Sequence, residues 1–203
     1  PAMSALVGAV DAARAADEPG LEAALCRLGN ALETIVAILG RMPERCDPYV
    51  YYQRVRPFIH SWKDNPALPE GLVYEGVEQF HGRPQRFRGE TGAQSTILPA
   101  LDAGLGVRHR QDPLYVYLRE MRDYMPPPHR AFLIMLERES KVRDAMTRCN
   151  ASVRAAYDRC IDLAWQFRRV HLEYAGRYVH QQGLKESLAN PNSVGTGGTP
   201  FMT

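Results

Sequence analysis

Three features of the sequence predict an all-α fold. Apolar residues recur at steps of three and four along most of the chain, which is the period of a helix that buries one face. No stretch shows the alternation of apolar and polar residues that is typical of a half-buried strand. Hydrophobic residues make up 45% of the 203 residues, enough for a substantial core. We therefore expect one helical bundle, a single domain over residues 1–203.

The first third of the chain predicts three helices. Residues 4–16 are rich in alanine, and residues 21–42 carry leucine and isoleucine at core spacing. Asp47 followed by Pro48 is a strong start signal, because aspartate caps a helix and proline fits its first turn. We expect this third helix to be disturbed at Pro57 and to end shortly after it.

The middle of the chain predicts a break between helices. Residues 63–88 are dense in proline and glycine and indicate a long irregular connection, which is more often functional than idle. A helix with a kink at Pro99 is expected over residues 90–105. Further helices are expected over residues 114–124, 129–137 and 141–148, and a long one from residue 150 or 152 to about residue 181.

The charge balance argues against two classes of partner. The net charge of +2 is too small to indicate a surface for nucleic acid or membrane, so we expect neither. The longest aliphatic run, residues 35–39, is too short to span a bilayer. One local excess of basic residues is interpreted as a solvated or anion-facing edge: Arg83, Arg86, Arg88, Arg108 and Arg110.

The cysteines indicate a reducing environment. Cys26, Cys46, Cys149 and Cys160 form no CxxC motif and lack metal-ligand spacing, so we expect reduced, mostly buried thiols. No signal-peptide pattern is present, and we expect a cytoplasmic protein. The sequence begins with proline rather than methionine and stops just after a glycine-rich stretch. We therefore expect it to be part of a longer polypeptide.

The long C-terminal helix carries a histidine, His171, in an apolar stripe. The stripe consists of Val153, Tyr157, Cys160, Ala164, Phe167, His171, Tyr174 and Tyr178. One interpretation is a core histidine bound to a backbone carbonyl, since a buried imidazole needs partners for its nitrogens. The other is a single axial ligand to haem iron, which needs an apolar slot and cations near its propionates. Arg168 lies about one turn away. The helix alone leaves both interpretations open.

Two further segments have two interpretations each. Tyr49, Tyr51, Tyr52 and Arg56 could line a pocket for an aromatic carboxylate, or they could form an ordinary amphipathic surface. Residues 190–203, which contain GTGGT at 195–199, are expected to be mobile. They form either a flexible tail or a lid that closes over a ligand. They are not a phosphate loop, because the lysine is missing and no strand precedes them.

Four motifs in order resemble those of the indoleamine 2,3-dioxygenase family. They are RGETGAQS at 88–95, YMPPPHRAFL at 124–133, FRRVH at 167–171 and GTGGT at 195–199, with Trp62 and GLVYEG at 71–76 fitting the same pattern upstream. The Met-Pro-Pro and Gly-Ala-Gln-Ser stretches point to this branch rather than to the tryptophan 2,3-dioxygenase branch. The chain resembles a bacterial-type member that lacks the family's small N-terminal domain.

This resemblance implies the family's large helical haem-binding domain and its chemistry. The expected cofactor is haem b, and O2 is the expected co-substrate. The implied reaction inserts both atoms of O2 across the indole C2–C3 bond of L-tryptophan, or of a related indole, and gives N-formylkynurenine. The resemblance implies no residue that acts as a general acid or base. The N-terminal region missing here, including the distal helix before Pro1, would complete the pocket on the substrate side.

The resemblance also assigns roles to individual residues. His171 matches the iron ligand, Arg168 the arginine near a haem propionate, and Asp102 the acid that pairs with it. On the substrate side the matching residues are Arg56 for the carboxylate, Tyr51 and Tyr52 where the family has phenylalanines, Thr91 in place of a serine with Gly92 beside it, and the lid residue Thr196.

Two alternative functions stay open at this stage. The tyrosines at positions 51 and 52 would make the pocket more polar than is usual in the family, so the substrate could be another indole of secondary metabolism. A third hypothesis, from a different class, is a haem-binding or sensing module without turnover. Arg56 favours a substrate with a carboxylate.

Overall fold

The computed structural model describes residues 1–185 and has an all-α fold, as the sequence predicts. Within these residues no β-strand forms, and extended pairing is limited to an isolated bridge between Leu72 and Gln85. The helices are α1 (Ala2–Ala15), α2 (Glu18–Gly40), α3 (Pro48–Val50), α4 (Arg56–Ile59), α5 (Ile97–Leu105), α6 (Pro113–Glu120), α7 (Pro127–Glu139), α8 (Val142–Ala145), α9 (Ala151–Ala175) and α10 (Gln181–Lys185).

The chain divides into two compact units. Unit 1 comprises Pro1–Arg45 and Ala93–Leu172, and unit 2 comprises Cys46–Gly92 and Glu173–Thr203, of which residues up to 185 are described. The second boundary falls inside α9. The glycine-rich segment at 190–203 lies outside the described residues.

Unit 1 is built around α1, which packs against α2, α5, α7 and α8. Its core is aliphatic, and Leu6, Leu25 and Leu28 are fully buried. The segment Glu18–Glu44 is long and apolar enough to cross a membrane by length and composition alone, although its aliphatic run at residues 35–39 is short. Core helices pass the same test, and in this structure the buried face of α2 packs within unit 1.

Unit 2 is built around a short helical segment and an aromatic cluster. The helix starts where the sequence predicts, because the Asp47 side chain accepts from the Val50 amide at 2.9 Å. It continues through a π-helical turn, Tyr51–Val55, before α4. Between α4 and residue 92 the backbone is irregular except for short 3-10 turns. Four aromatic rings pack together there: Trp62, Tyr74, Phe80 and Phe87.

A close approach of two backbone segments organises unit 2. The Glu90 amide donates to the Ile59 carbonyl at 3.0 Å, and the Lys63 amide donates to the Phe87 carbonyl at 3.0 Å. Gly89 lies between these bonds, and a Cβ atom there would stand 2.3 Å from the Ile59 carbonyl oxygen. Only glycine fits such a contact. The pairing fixes the end of α4 beside the segment that leads to residues 91 and 92.

Two sequence predictions about local structure are wrong. The helix predicted over residues 90–105 begins only at Ile97, so Pro99 lies in its first turn and causes no kink, because no backbone hydrogen bond is lost there. Cys149 and Cys160 are buried free thiols, but Cys26 is exposed and Cys46 is half-buried. Cys26 faces solvent because it lies on the polar side of α2, next to the buried Leu25.

Candidate functional site

The helix α9 carries the predicted iron ligand and starts from a capped end. The Asn150 side chain accepts from the amides of Ser152 and Val153 at 2.9 and 3.1 Å, which satisfies donors that the first turn leaves free. Its apolar stripe is buried at Val153, Cys160 and Ala164. Burial raises the pKa of the Cys160 thiol to about 12, so this thiol stays protonated as part of the core.

His171 lies on the same stripe but beyond the buried part of the helix. Its side chain is exposed, because the stripe leaves the core of unit 1 after Ala164. The interpretation as a core histidine is therefore wrong. Desolvation by the surrounding protein lowers the pKa of the ring, which favours the neutral imidazole, the form that can donate a lone pair to a metal.

One turn earlier, Arg168 forms an ion pair with Asp102 of α5. The Arg168 Nη2 atom donates to the Asp102 Oδ1 atom at 2.5 Å. The second oxygen, Oδ2, lies 2.8 Å from the Nε2 atom of His109, a contact that sequence reasoning missed. No short motif marks His109, since it lies in the loop after α5 and reaches Asp102 only in the folded chain.

The ion pair is held in place by a firmly packed α5. The Tyr157 hydroxyl of α9 donates to the Leu105 carbonyl at 2.8 Å, and the Ser140 hydroxyl donates to the Gly104 carbonyl at 2.6 Å. These bonds satisfy carbonyls at the C-terminal end of the helix, where no intrahelical donor remains. The position of Asp102 relative to Arg168 is thus set by packing inside unit 1.

The predicted carboxylate-binding residue, Arg56, is buried in unit 2. Its side chain has no exposed surface, and desolvation lowers its pKa. The guanidinium carbon stands 5.3 Å from the ring centroid of Tyr52, which is also buried. Tyr51 is half-buried and packs edge-on against Tyr178, with centroids 5.9 Å apart. The segment is therefore not an ordinary amphipathic surface at Tyr52 and Arg56, whereas Tyr49 is exposed.

The remaining predicted substrate residues follow the paired segment of unit 2. Thr91 is half-buried and Gly92 is exposed, directly after the bond between Glu90 and Ile59. Thr196 lies outside the described residues. The structure thus brings Arg168 and Asp102 into contact beside His171 in unit 1, and it groups Tyr51, Tyr52 and Arg56 within unit 2. Sequence reasoning also missed two residues that follow α4: His60, which is half-buried but has a buried Nε2 atom, and Ser61, which is buried.

The residues of unit 1 fit a haem group better than a metal ion held by the protein alone. Among residues 1–185 no three His, Cys, Asp or Glu side chains cluster in a way that could hold an ion. Haem iron needs as little as one protein ligand, and its propionates favour nearby cations. His171 is exposed, no hydrogen bond to its ring occurs within the described residues, and Arg168 offers a cation one turn away. This donor set matches the demands of haem.

Comparisons with known proteins agree with the four motifs. The family model "Indoleamine 2,3-dioxygenase" matches residues 1–203. Human "Indoleamine 2,3-dioxygenase 2" is 35% identical over 214 residues, and the match covers 100% of this chain and 52% of the relative. "Indoleamine 2,3-dioxygenase acdA" of Aspergillus candidus is 36% identical, with 95% and 50% covered. "6-hydroxytryptophan 2,3-dioxygenase fscD" of Fusarium equiseti is 33% identical, with 97% and 48% covered.

The extent of these matches defines what is shared. The chain spans about half the length of the curated relatives it matches, and the family model covers it from the first residue to the last. Mammalian and fungal relatives therefore align with the same region, the one that contains His171, Arg168, Asp102 and Arg56. By this match the chain belongs to the indoleamine 2,3-dioxygenase family.

Proposed function

We propose that this chain forms the haem-binding region of a dioxygenase that cleaves the indole ring of L-tryptophan or a related indole. Both atoms of O2 are inserted across the C2–C3 bond, and the product from tryptophan is N-formylkynurenine. The observation that carries the proposal is the state of His171. Its side chain is exposed, and it lies one turn from Arg168, whose position is fixed by Asp102.

In this proposal the residues of unit 1 bind the cofactor. His171 would hold the haem iron, and Arg168 would provide a cation for a haem propionate. Asp102 keeps Arg168 in one orientation, so less side-chain entropy is lost when the propionate binds. When bound, the haem supplies the oxygen activation that no amino-acid side chain can provide.

The residues of unit 2 bind and orient the substrate. A guanidinium forks onto a carboxylate through two parallel hydrogen bonds, which fixes direction as well as distance. Arg56 is buried, so this contact forms away from water, where a charged hydrogen bond is strong. Tyr52 packs against the guanidinium and limits its movement. Thr91, Gly92 and the lid residue Thr196 are proposed to enclose the ligand and keep water away.

A second candidate function differs in the substrate. One fungal relative carries the name "6-hydroxytryptophan 2,3-dioxygenase", and Tyr51 and Tyr52 add phenolic hydroxyls to the substrate side. These features favour a hydroxylated or otherwise polar indole as the alternative to tryptophan. The third candidate, a haem-binding or sensing module, differs in forming no product.

The test is a haem titration followed by an assay of product. The chain should bind haem with a histidine-type ferrous spectrum, and tryptophan with O2 and a reductant should give N-formylkynurenine. Tryptophan, 6-hydroxytryptophan and tryptamine, compared at equal concentration, separate the first two candidates. A haem spectrum without oxygen-dependent product would favour the sensing module.

The same titration tests the role of His171. His171→Ala should lose the ferrous haem spectrum, and added imidazole should restore it by occupying the vacated position. His129→Ala is the matched control, because His129 is also exposed and is engaged with the Thr96 hydroxyl at 2.8 Å. It should bind haem as the unchanged chain does. A His171→Ala variant that kept its spectrum and activity without imidazole would remove the assignment.

A further inference from the structure

Three consecutive side chains beside Arg56 carry buried polar atoms that have no hydrogen-bond partner within residues 1–185. They are the Nε2 atom of His60, the hydroxyl of Ser61 and the indole Nε1 atom of Trp62. Ser61 is only 3% exposed. Buried polar atoms without a partner are rare in folded proteins, because each costs free energy. Three in succession therefore indicate that a bound group supplies the missing partners.

The chemistry of His60 defines what kind of group this is. Its Nδ1 atom lies 2.6 Å from the Ser61 carbonyl oxygen. A carbonyl only accepts, so Nδ1 carries the proton and donates. Burial, and then the positive charge of Arg56, lower the pKa of the ring, so His60 is neutral at pH 7. Its Nε2 atom is then a lone-pair acceptor, which calls for a hydrogen-bond donor.

The location of His60 adds a second constraint. It follows α4 directly, four residues after Arg56, and the two side chains are close enough to interact electrostatically. The pairing of residues 59–63 with residues 87–90 holds the backbone of His60 in place. An acceptor on a fixed backbone therefore lies within electrostatic range of a buried cation. This pair suits a ligand that has an anionic group and a donor group on neighbouring atoms.

We infer that His60 binds the α-ammonium group of an amino-acid substrate whose carboxylate is bound by Arg56. The ammonium donates one of its three hydrogens to the Nε2 atom of His60. The subsite selects α-amino acids over acids that lack the amine. This inference rests on the proposed function for the choice of an indole ligand. It adds His60 as the residue that binds the amino group of that ligand.

The experiment compares three ligands by calorimetry on the haem-loaded chain. L-tryptophan carries both charged groups, indole-3-propionate lacks the ammonium, and tryptamine lacks the carboxylate. His60→Leu removes the acceptor and preserves volume, and it should weaken tryptophan binding by roughly ten- to a hundredfold, the range for a hydrogen bond to a charged group. Indole-3-propionate binding should be unchanged. His60→Gln, which restores an acceptor, should recover part of the loss.

A measurement on the unchanged chain keeps the inference testable if His60→Leu does not fold. With nitrogen-15 histidine and assignment by His60→Gln, the Nε2 resonance of His60 should shift when tryptophan binds and stay in place with indole-3-propionate. Equal weakening of both ligands in His60→Leu, or no Nε2 shift with tryptophan, would overturn the inference.

The product assay on the same samples separates the two levels of the proposal. If N-formylkynurenine forms normally but His60→Leu weakens tryptophan and indole-3-propionate alike, the ammonium subsite is overturned and the dioxygenase function stands. If His60→Leu weakens tryptophan alone but no N-formylkynurenine forms, the ammonium subsite is supported and the dioxygenase function is contradicted.

Discussion

The two arginines that the sequence predicts to bind anions are held in opposite ways. Arg168 in unit 1 is 35% exposed and is paired with Asp102. Arg56 in unit 2 has 0% exposure, and burial lowers its pKa. An exposed cation costs little to maintain, whereas a buried one is expensive and strongly affected by any anion that reaches it. The comparison teaches that unit 1 keeps its arginine partly exposed beside a carboxylate, while unit 2 keeps its arginine in a buried environment that disfavours the charge.

The largest expected effect is a loss of stability when the close backbone contact at Gly89 is disrupted. In Gly89→Ala the new Cβ atom would lie 2.3 Å from the Ile59 carbonyl oxygen and 2.4 Å from the Ser61 nitrogen. Backbone atoms cannot move aside as side chains do, so we expect a loss of more than about 4 kcal/mol in the free energy of unfolding. Urea unfolding followed by circular dichroism measures it.

A glycine of unit 1 offers the matched control. In Gly104→Ala the new Cβ atom would meet the Leu6 side chain at 2.6 Å. A leucine side chain can change position, so we expect a smaller loss of about 1–3 kcal/mol, typical of an overpacked core. If Gly104→Ala were the more destabilising variant, the close backbone pairing would not be what holds unit 2 together.

The next effect concerns Arg56 itself. Arg56→Ala should weaken tryptophan binding by about 2–4 kcal/mol, because a carboxylate in a dry site loses a bidentate charged contact. Arg56→Lys should also bind more weakly, since an ammonium cannot fork. Tryptamine, which has no carboxylate, should be affected little by either variant. Isothermal titration of both ligands gives the two affinities.

Arg168 provides the comparison for this prediction. Arg168→Ala removes a partly exposed cation from unit 1 and should leave the ratio of tryptophan to tryptamine affinity unchanged. If Arg56→Ala weakened both ligands alike, the buried arginine would be structural. Carboxylate recognition would then have to be sought elsewhere in the chain.

The sequence was informative wherever a local rule decides the outcome. The start of α3 follows from the cap at Asp47 and the proline after it, and the buried part of α9 follows from a stripe of period 3.6. The stripe could not tell where burial ends along the helix. His171 continues it by spacing but is exposed, because burial depends on which elements pack beside each turn.

Contacts between distant segments could not be read from local patterns. Nothing in the loop after α5 marks His109 as a partner of Asp102, and nothing around Gly89 shows that it touches the backbone of residues 59–61. The family resemblance names Arg56 but passes over His60 and Ser61, since neither belongs to a shared motif. The contacts of these residues depend on which segments the tertiary fold brings together, and the periodicity of a single sequence does not show this.

The smallest expected effect tests whether the exposed charges of unit 1 matter for stability. A hydrogen bond from Arg122, at 2.6 Å, is the main cause that lowers the pKa of Glu137 below its ordinary value of 4.5. A carboxylate with a lowered folded-state pKa stabilises the protein above its unfolded pKa, and this stability is lost as the pH falls through the folded value. The Glu137 side chain is 38% exposed, so solvent screening limits the contribution to less than about 1 kcal/mol. Urea unfolding from pH 7 to pH 3 should show a shallower acid decline in Glu137→Gln. Glu33→Gln is the control, since Glu33 also accepts a hydrogen bond from an arginine, Arg159, but is 67% exposed. If the free energy of unfolding fell equally with pH in Glu137→Gln and in the unchanged chain, the ion pair of Glu137 would add nothing measurable.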